Sequence, residues 1–122
     1  MKLQPDCIRA ILFNAEEQST GFTLISWDCT RGIGDFNCEV FKYHLLYCVR
    51  AGLFVDGKFL GNTNTFVFTD ISVSAHEFIA NIRENSNWKK IKEVSSKIGS
   101  NAVNVLQEIA KTIILAKISS II

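Results

Sequence analysis

The chain has almost no proline and no stretch that would serve as a linker. One Pro occurs among 122 residues, and no Ser/Gly-rich tract, charge block or internal repeat interrupts the sequence. These absences argue against several domains joined by flexible linkers. Hydrophobic residues make up 48% and charged residues 20% of the chain, which excludes the composition of a disordered protein. We therefore expect one folded domain over residues 1–122.

Long apolar segments are also missing. The N-terminal residues contain no uninterrupted apolar stretch ahead of Glu16 and Glu17, so they do not resemble a secretion signal. The apolar segment 109–122 is interrupted by Lys111 and Lys117 and is shorter than the roughly 20 residues of a membrane-spanning helix. We therefore predict a cytoplasmic protein without membrane association, whose cysteines are reduced thiols.

Ligand sets for metal ions are sparse. Cys38, His44 and Cys48 form the nearest approach to a cluster, but they fall short of the four ligands of a structural zinc site. The simpler interpretation makes Cys48 a small core residue and His44 a group on a helix surface. His76-Glu77 begins like a zinc-protease helix, yet Ala80 stands where the second His is needed. We predict no metal and no cofactor.

Motifs for catalysis are equally scarce. Gly32-x-Gly34 lacks the third glycine of a nucleotide-binding loop, and no nucleophile-elbow motif is present. Nothing in the sequence brings either His together with a nucleophile and a carboxylate, as a catalytic triad requires. We predict that the protein is not an enzyme and has no catalytic residue.

Basic residues are few in the first two thirds of the chain. Residues 1–82 carry six Lys and Arg against nine Asp and Glu, whereas residues 83–122 carry seven against three. A surface that binds a polyanion needs clustered cations. If the protein contacts nucleic acid, the charge distribution points to residues 83–97.

The segment 36–72 is the most informative part of the sequence. Helical spacing predicts a helix over Phe36–Ala51, which ends at Ala51-Gly52-Leu53. Two short strands, Phe54–Leu60 and Thr65–Ile71, follow and are joined by the turn-forming residues 61–64. A helix that leads directly into a β-hairpin is typical of a winged helix, the helix-turn-helix variant with a β-hairpin wing.

Other helices and one strand surround this segment. Pro5-Asp6 is a favourable start for a first helix, and the alternation in 22–27 predicts a strand. Later helices are predicted over 72–84, 88–98 and 102–118, with Asn85-Ser86-Asn87 as a cap. We therefore predict an α+β, mostly α fold, with a winged-helix part (1–72) and a C-terminal helical extension (73–122) of two or three helices.

Three groups of residues resemble one known family. They are Pro5-Asp6-Cys7-Ile8-Arg9, Tyr43-His44-Leu45 with Ala51-Gly52-Leu53, and His76-Glu77-Phe78 with Asn81-Ile82-Arg83 and Trp88. The chain is similar over nearly its whole length to small domain-of-unknown-function proteins of bacterial genomes and their prophages. This resemblance implies a winged-helix-like fold and a phage or mobile-element setting, and it assigns no catalytic residue.

The helix of 36–51 is too apolar for a single buried stripe. Phe41, Leu45 and Cys48 fall on one side, and a second apolar stripe of Val40, Tyr43, Leu46 and Tyr47 falls on the other. Either both sides are buried inside the domain, or the second stripe faces a partner. The resemblance implies Lys and Glu around Leu46, Val49 and Arg50, and two of these positions are apolar here, which favours a self-contact or a protein partner.

Candidate binding residues lie in three places, each with a simpler alternative. The residues are Lys42, Tyr43, Leu46, Tyr47 and Arg50 on the helix, Lys58, Asn62 and Asn64 in the hairpin, and Arg83, Lys89, Lys90 and Lys92 in the basic segment. The hairpin tip is otherwise a solvated turn. In the basic segment, Trp88 would otherwise anchor its helix to the core while the lysines keep the outer face hydrated.

Two functions from different classes fit these patterns. The first is a small, dimeric, DNA-associated transcriptional regulator with the helix 36–51 toward the major groove. The alternative is a protein-binding winged-helix module, such as a phage-encoded inhibitor of a host defence nuclease or another host enzyme. A homodimer through Ile114, Leu115 and Ile118 on the last helix is compatible with either function.

Overall fold

Five α-helices and two small antiparallel sheets make up the computed structural model, which describes residues 1–122. The helices are α1 (Pro5–Gln18), α2 (Cys38–Arg50), α3 (Val73–Ile82), α4 (Asn85–Ile98) and α5 (Val103–Ile121). The strands are β1 (Ile25–Asp28), β2 (Phe54–Val55), β3 (Lys58–Phe59), β4 (Thr65–Phe68) and β5 (Asp70–Ile71). One 3-10 turn, Cys29–Arg31, precedes α2. The α+β, mostly helical prediction is confirmed.

The first helix begins at Pro5, as the sequence predicts, and ends at Gln18. Pro5 occupies the first turn, where its missing N–H costs nothing, and Asp6 lies at the positive end of the helix. The backbone N–H of Ser19 donates to the carbonyl of Ala15 and closes the last turn. The buried face consists of Cys7, Ile8, Ile11, Leu12 and Ala15. This face packs α1 against α2 and α3.

β1 begins three residues later than the alternation in 22–27 predicts. The Thr20 hydroxyl accepts hydrogen bonds from the backbone N–H groups of Phe22 and Thr23, at 3.2 Å each. Gly21 has φ +80°, so the chain turns here before it can extend. Phe22 is consequently outside the strand and 97% exposed.

The predicted hairpin is present, but each of its two strands is interrupted, the first between β2 and β3 and the second between β4 and β5. Val55 pairs with Asp70 and Lys58 pairs with Val67, so one antiparallel register continues across the interruption. Asp56 has φ +54°, and the Thr69 hydroxyl donates to the Val55 carbonyl at 3.1 Å. The strand between Phe54 and Leu60 therefore divides into β2 and β3. The order in the three-stranded sheet is β1-β4-β3, and β2 pairs with β5.

α2 is slightly shorter than predicted because of its caps. The side-chain oxygen of Asn37 accepts a hydrogen bond from the backbone N–H of Val40 at 3.0 Å, which fixes the start at Cys38. The helix ends at Arg50, and Gly52 follows with φ +74°. The predicted stop at Ala51-Gly52-Leu53 is confirmed.

The C-terminal helices are present with three corrections. Asn87 does not cap α4 but lies inside its first turn, where it is buried. Helical spacing in the sequence groups Val73 with Phe78, Ile79 and Ile82, but Val73 is 76% exposed, and Ala75 is buried instead. Helical spacing in the sequence predicts for the last helix a face of Ala102, Val105, Leu106, Ile109, Ile113 and Ala116. In the structure Val103 and Ala110 are buried as well, and Ala116 is exposed.

A single hydrophobic cluster of 25 buried residues connects all five helices with the strands. It includes residues on both sides of position 72, such as Phe66 and Phe68 in β4 and Ile79 and Ile82 in α3. The C-terminal helices thus share their core with the first part of the chain. None of the helices combines the length and the apolar character that crossing a membrane requires.

Candidate functional site

The outward side of α2 carries a partly exposed apolar stripe. The helix buries Phe41, His44, Leu45 and Cys48. On its other side Leu46 is 37% exposed, and Tyr43 and Tyr47 are half-buried. Of the four residues of the predicted second stripe, Val40 alone is packed against the core. The alternative in which both sides of this helix are buried is therefore wrong for Tyr43, Leu46 and Tyr47.

The aromatic residues of this side are held by one another. The rings of Tyr43 and Tyr47 lie 4.9 Å apart between centroids, and the Arg50 guanidinium lies 5.2 Å from the Tyr47 ring. Tyrosines stacked in this way lose little further side-chain freedom when they bind a partner. Three of the candidate binding residues, Tyr43, Tyr47 and Arg50, are therefore in contact on this side of α2.

A cleft separates α2 from the hairpin loop. Its volume is about 410 Å³, and its walls are formed by Lys42, Tyr43, Leu46, Phe59, Gly61, Asn62 and Thr63. The structure therefore brings helix and loop candidates together at one place. Phe59 is not among the candidate residues predicted from the sequence. The pattern that could have indicated it is its position next to Lys58 in a short strand with one exposed face.

Lys42 and Asn64 are used inside the molecule. The Lys42 ammonium donates a hydrogen bond to the Asn64 side-chain oxygen at 2.9 Å and lies 5.5 Å from the centroid of the Phe59 ring. The backbone carbonyl of Asn64 accepts from the Cys29 N–H at 2.8 Å. These contacts fix the hairpin loop against α2 and the 3-10 turn. Arg50 on α2 and Lys58 on β3 are both exposed.

The basic segment 83–92 is partly consumed by ion pairs with α1. Arg83 donates to both carboxylate oxygens of Glu16, at 2.8 and 2.6 Å. Lys92 pairs with Asp6 at 3.1 Å, and the Trp88 indole N–H donates to the same carboxylate at 2.8 Å. Trp88 is only 4% exposed. The interpretation that Trp88 anchors its helix to the core is therefore confirmed.

The electrostatics of Asp6 reflect this anchoring role. Partial burial raises the pKa of the Asp6 carboxyl, but hydrogen bonds from Trp88 and Lys92 outweigh it, so that the pKa lies below its usual value. The carboxylate thus stays charged and joins α1 to α4.

The remaining lysines of the basic segment lie apart from the cleft. Lys89 and Lys90 are exposed and make no ion pair. The same is true of Lys97 further along α4. α4 packs mainly on α5 and α3. The structure therefore separates the candidate binding residues into an α2–hairpin face and an α4 face.

His44 is not a surface group, and the prediction that placed it there is wrong. Its side chain is fully buried, with Nε2 accepting a hydrogen bond from the Gln4 backbone N–H at 2.7 Å. Since Nε2 accepts, Nδ1 carries the proton and donates to the Val40 carbonyl, also at 2.7 Å. Burial lowers the pKa of His44. Both ring nitrogens are engaged, and Cys48 is a core residue as predicted.

The predicted dimer residues lie in the C-terminal half of α5. Ile113 is the last buried residue of α5, and Ile114 is half-buried. Leu115 and Ile118 are 52% and 45% exposed.

The comparisons with known proteins identify one family. A model of the family described as "Hypothetical protein (DUF2513)" matches residues 2–101, which contain every element from α1 to α4. No curated protein and no solved structure matches the chain. Because the match covers well over half of the sequence, the chain belongs to this family of unknown function, DUF2513.

Proposed function

We propose that the protein is a non-enzymatic protein-binding module whose contact surface is the α2–hairpin face. The observation that carries this proposal is the exposed stripe of Tyr43, Leu46 and Tyr47 beside the cleft that Phe59 lines. Tyr and Arg dominate the energetically important residues of protein interfaces. A partner side chain of apolar character would fit between Leu46 and Phe59.

The frame that we propose for this surface is a reduced winged helix. The order β1, α2 and hairpin, with β1 paired to β4, supports this assignment. A DNA-reading helix-turn-helix places one helix in the major groove and a preceding helix across the backbone. In this chain the position before α2 holds one 3-10 turn, Cys29–Arg31. That reduction favours protein over DNA as the partner.

The charge of the face also favours a protein partner. Arg50 and Lys58 are exposed, but the exposed acids Glu39 and Asp56 lie on the same helix and hairpin. Lys42 is held by Asn64. DNA binding draws its affinity mainly from cations placed at phosphates, and several phosphate contacts are needed for tight binding. Two free cations offset by two acids supply little of that affinity.

The biological setting that we propose follows from the family resemblance. In a phage or mobile-element setting, a small binding module of the cytoplasm would act on a host enzyme, such as a defence nuclease. The genes beside this one test the setting directly. Neighbouring phage-structural or defence genes are expected, and a neighbourhood of ordinary metabolic genes would contradict it.

Site-specific cross-linking tests the binding surface. A photoreactive amino acid at Leu46 should give one discrete cross-linked protein in the source cell, whereas the same group at exposed Glu77 on α3 should not. Tyr43→Ala should abolish the adduct, and Lys90→Ala on the α4 face should leave it unchanged. Equal adducts from Leu46 and Glu77, or an adduct that survives Tyr43→Ala, would reject the α2–hairpin face.

A DNA-associated transcriptional regulator is the second candidate. The exposed and unpaired Lys89, Lys90 and Lys97 on α4 favour it. Fluorescence anisotropy with mixed duplex DNA at low salt tests this function, since non-specific affinity is greatest there. We expect weak binding at most. Tight binding that is lost in Arg50→Glu and Lys58→Glu would overturn the protein-binding proposal, and tight binding lost only in Lys89→Glu would place DNA on α4.

A further inference from the structure

The three-stranded sheet has an open edge at β3. β3 pairs with β4 alone, with Lys58 opposite Val67, and the Leu60 N–H donates to the Thr65 carbonyl at 2.9 Å. Because the hydrogen bonds of an antiparallel pair involve alternate residues, Lys58 and Leu60 direct their backbone groups toward β4. The N–H and C=O of Phe59, which lies between them, therefore point away from β4.

These edge groups have no partner inside the protein. Neither the N–H nor the C=O of Phe59 takes part in a hydrogen bond. The same holds for Gly61, which follows β3 in the hairpin loop. Gly61 also leaves open space where a side chain would stand, since no atom lies within 4 Å of an added Cβ. A second backbone can therefore approach this edge closely.

The open edge borders the cleft beside α2. Phe59 and Gly61 line this cleft together with Tyr43 and Leu46. The Phe59 side chain lies on the core side of the sheet, where its ring centroid is 5.2 Å from that of Phe66. Residues opposite one another in paired strands direct their side chains to the same face, and successive residues alternate. A strand added to β3 would thus direct one side chain toward Tyr43 and Leu46 and its two neighbours to the outer face.

We propose that β3 binds an extended segment of a partner protein, which joins the sheet as an added strand along the cleft. The added strand rests on the proposed function, since it uses the same α2–hairpin face. The central residue of the segment is apolar because it lies between Leu46 and Phe59. A residue next to it is acidic because it lies opposite Lys58, whose side chain is exposed. Backbone hydrogen bonds supply the affinity, and these two side chains supply the specificity.

Fluorescence anisotropy of the full chain with labelled peptides of about nine residues tests this specificity. The first peptide has Leu at its centre, Glu on both sides of it and Thr elsewhere. The comparison peptides carry Thr in place of Leu, or Lys in place of Glu, and should bind more weakly. Lys58→Glu should reverse the preference for Glu over Lys by roughly two- to fivefold, whereas Lys90→Glu on the α4 face should leave it unchanged. Equal binding of all the peptides, or binding of none, would overturn the proposal.

Methylation of the peptide backbone tests the added strand itself. Only alternate amides of a strand face its neighbour. Peptides methylated at the central amide nitrogen and at the next one should therefore differ in affinity by at least about 10-fold, because one of them loses a hydrogen bond to β3. Nuclear magnetic resonance should show hydrogen exchange of the Phe59 amide slowed at least about 10-fold at peptide saturation.

Two results would separate this proposal from the proposed function. If the two methylated peptides bind equally and Phe59 exchange is unchanged, the added strand is wrong, although side chains of the α2–hairpin face still bind protein. Loss of the discrete cross-linked adduct at Leu46 would reject the face itself. A Phe59 amide already protected without peptide, in a chain that sediments at twice 13.7 kDa, would assign the edge to a second copy and also overturn the proposal.

Discussion

At His44 a single imidazole joins two distant segments of the chain. Nε2 accepts from the backbone N–H of Gln4, forty positions earlier, and Nδ1 donates to Val40 one helical turn away. This arrangement requires the neutral ring, because a protonated Nε2 is a donor and cannot accept from Gln4. Burial lowers the pKa of His44 from its ordinary value of 6.5 and so keeps the ring neutral near neutral pH.

The His44 contact predicts a stability that falls in mild acid. Since the folded pKa lies below the unfolded value of 6.5, the unfolded chain binds more protons as the pH drops below that value. The free energy of unfolding should therefore be full above about pH 7 and decline as the pH falls toward the folded pKa. Urea denaturation at closely spaced pH values between neutral and mildly acidic conditions measures it.

His76, the other histidine, provides the matched control because it is exposed. His44→Gln should lower the free energy of unfolding by about 1–3 kcal/mol at neutral pH and remove the His44 part of the pH dependence. His76→Gln should leave both unchanged. Parallel pH curves for wild type and His44→Gln would show that the imidazole does not contribute this dependence.

At the scale of elements, one tight turn determines how α2 begins. The backbone groups of Ile33 and Phe36 exchange two hydrogen bonds of 2.9 Å, and Gly32 precedes them with φ +74° and ψ −160°. A Cβ at Gly32 would overlap the Phe36 carbonyl oxygen. Both the backbone conformation and the space around it therefore require glycine at this position.

Gly32→Ala is consequently expected to lower the free energy of unfolding by about 3 kcal/mol or more. Gly61 is a matched control in the hairpin loop, since it also has a positive φ of +58° but no atom within 4 Å of an added Cβ. Gly61→Ala should cost only the backbone strain, about 1–2 kcal/mol. Chemical denaturation of both variants measures the difference. Equal costs would mean that the Gly32 turn adapts to a side chain.

Elements whose signals are local could be predicted from the sequence. Pro5 and Asp6 start α1, Gly52 ends α2, and the polar residues 61–64 form the hairpin loop, all through interactions within a few residues. The later start of β1 was missed because the alternation of residues 22–27 outweighed the turn-forming Thr20 and Gly21 in the sequence pattern.

Features that depend on distant partners could not be predicted. His44 is buried because Gln4 donates to it, and Asn87 is buried inside α4, where it accepts from Lys117 on α5. Neither partner is visible in a local pattern. At the candidate site the apolar stripe of α2 was predictable from helical spacing. The internal use of Lys42 was not, because it depends on where Asn64 lies in the folded hairpin.

At the scale of the whole molecule, the family match and the hydrophobic core extend over different residues. The match ends at residue 101, just before α5 begins. Nevertheless α5 buries Val103, Leu106, Ile109, Ala110 and Ile113 in the common core. These side chains cover parts of α3 and α4 that would otherwise be exposed. Residues 2–101 therefore define the family region but do not include all of the core.

Two truncations separate the core-forming part of α5 from its exposed end. A chain ending at residue 101 loses four large buried side chains, each contributing about 2 kcal/mol, which is comparable with the whole stability of a small domain. It should unfold without a cooperative transition. A chain ending at residue 117 keeps these side chains and the Lys117–Asn87 hydrogen bond, so its melting transition should remain cooperative. Circular dichroism during heating checks both results. A cooperative transition in the shorter chain would show that α5 is an addition to a core that folds without it.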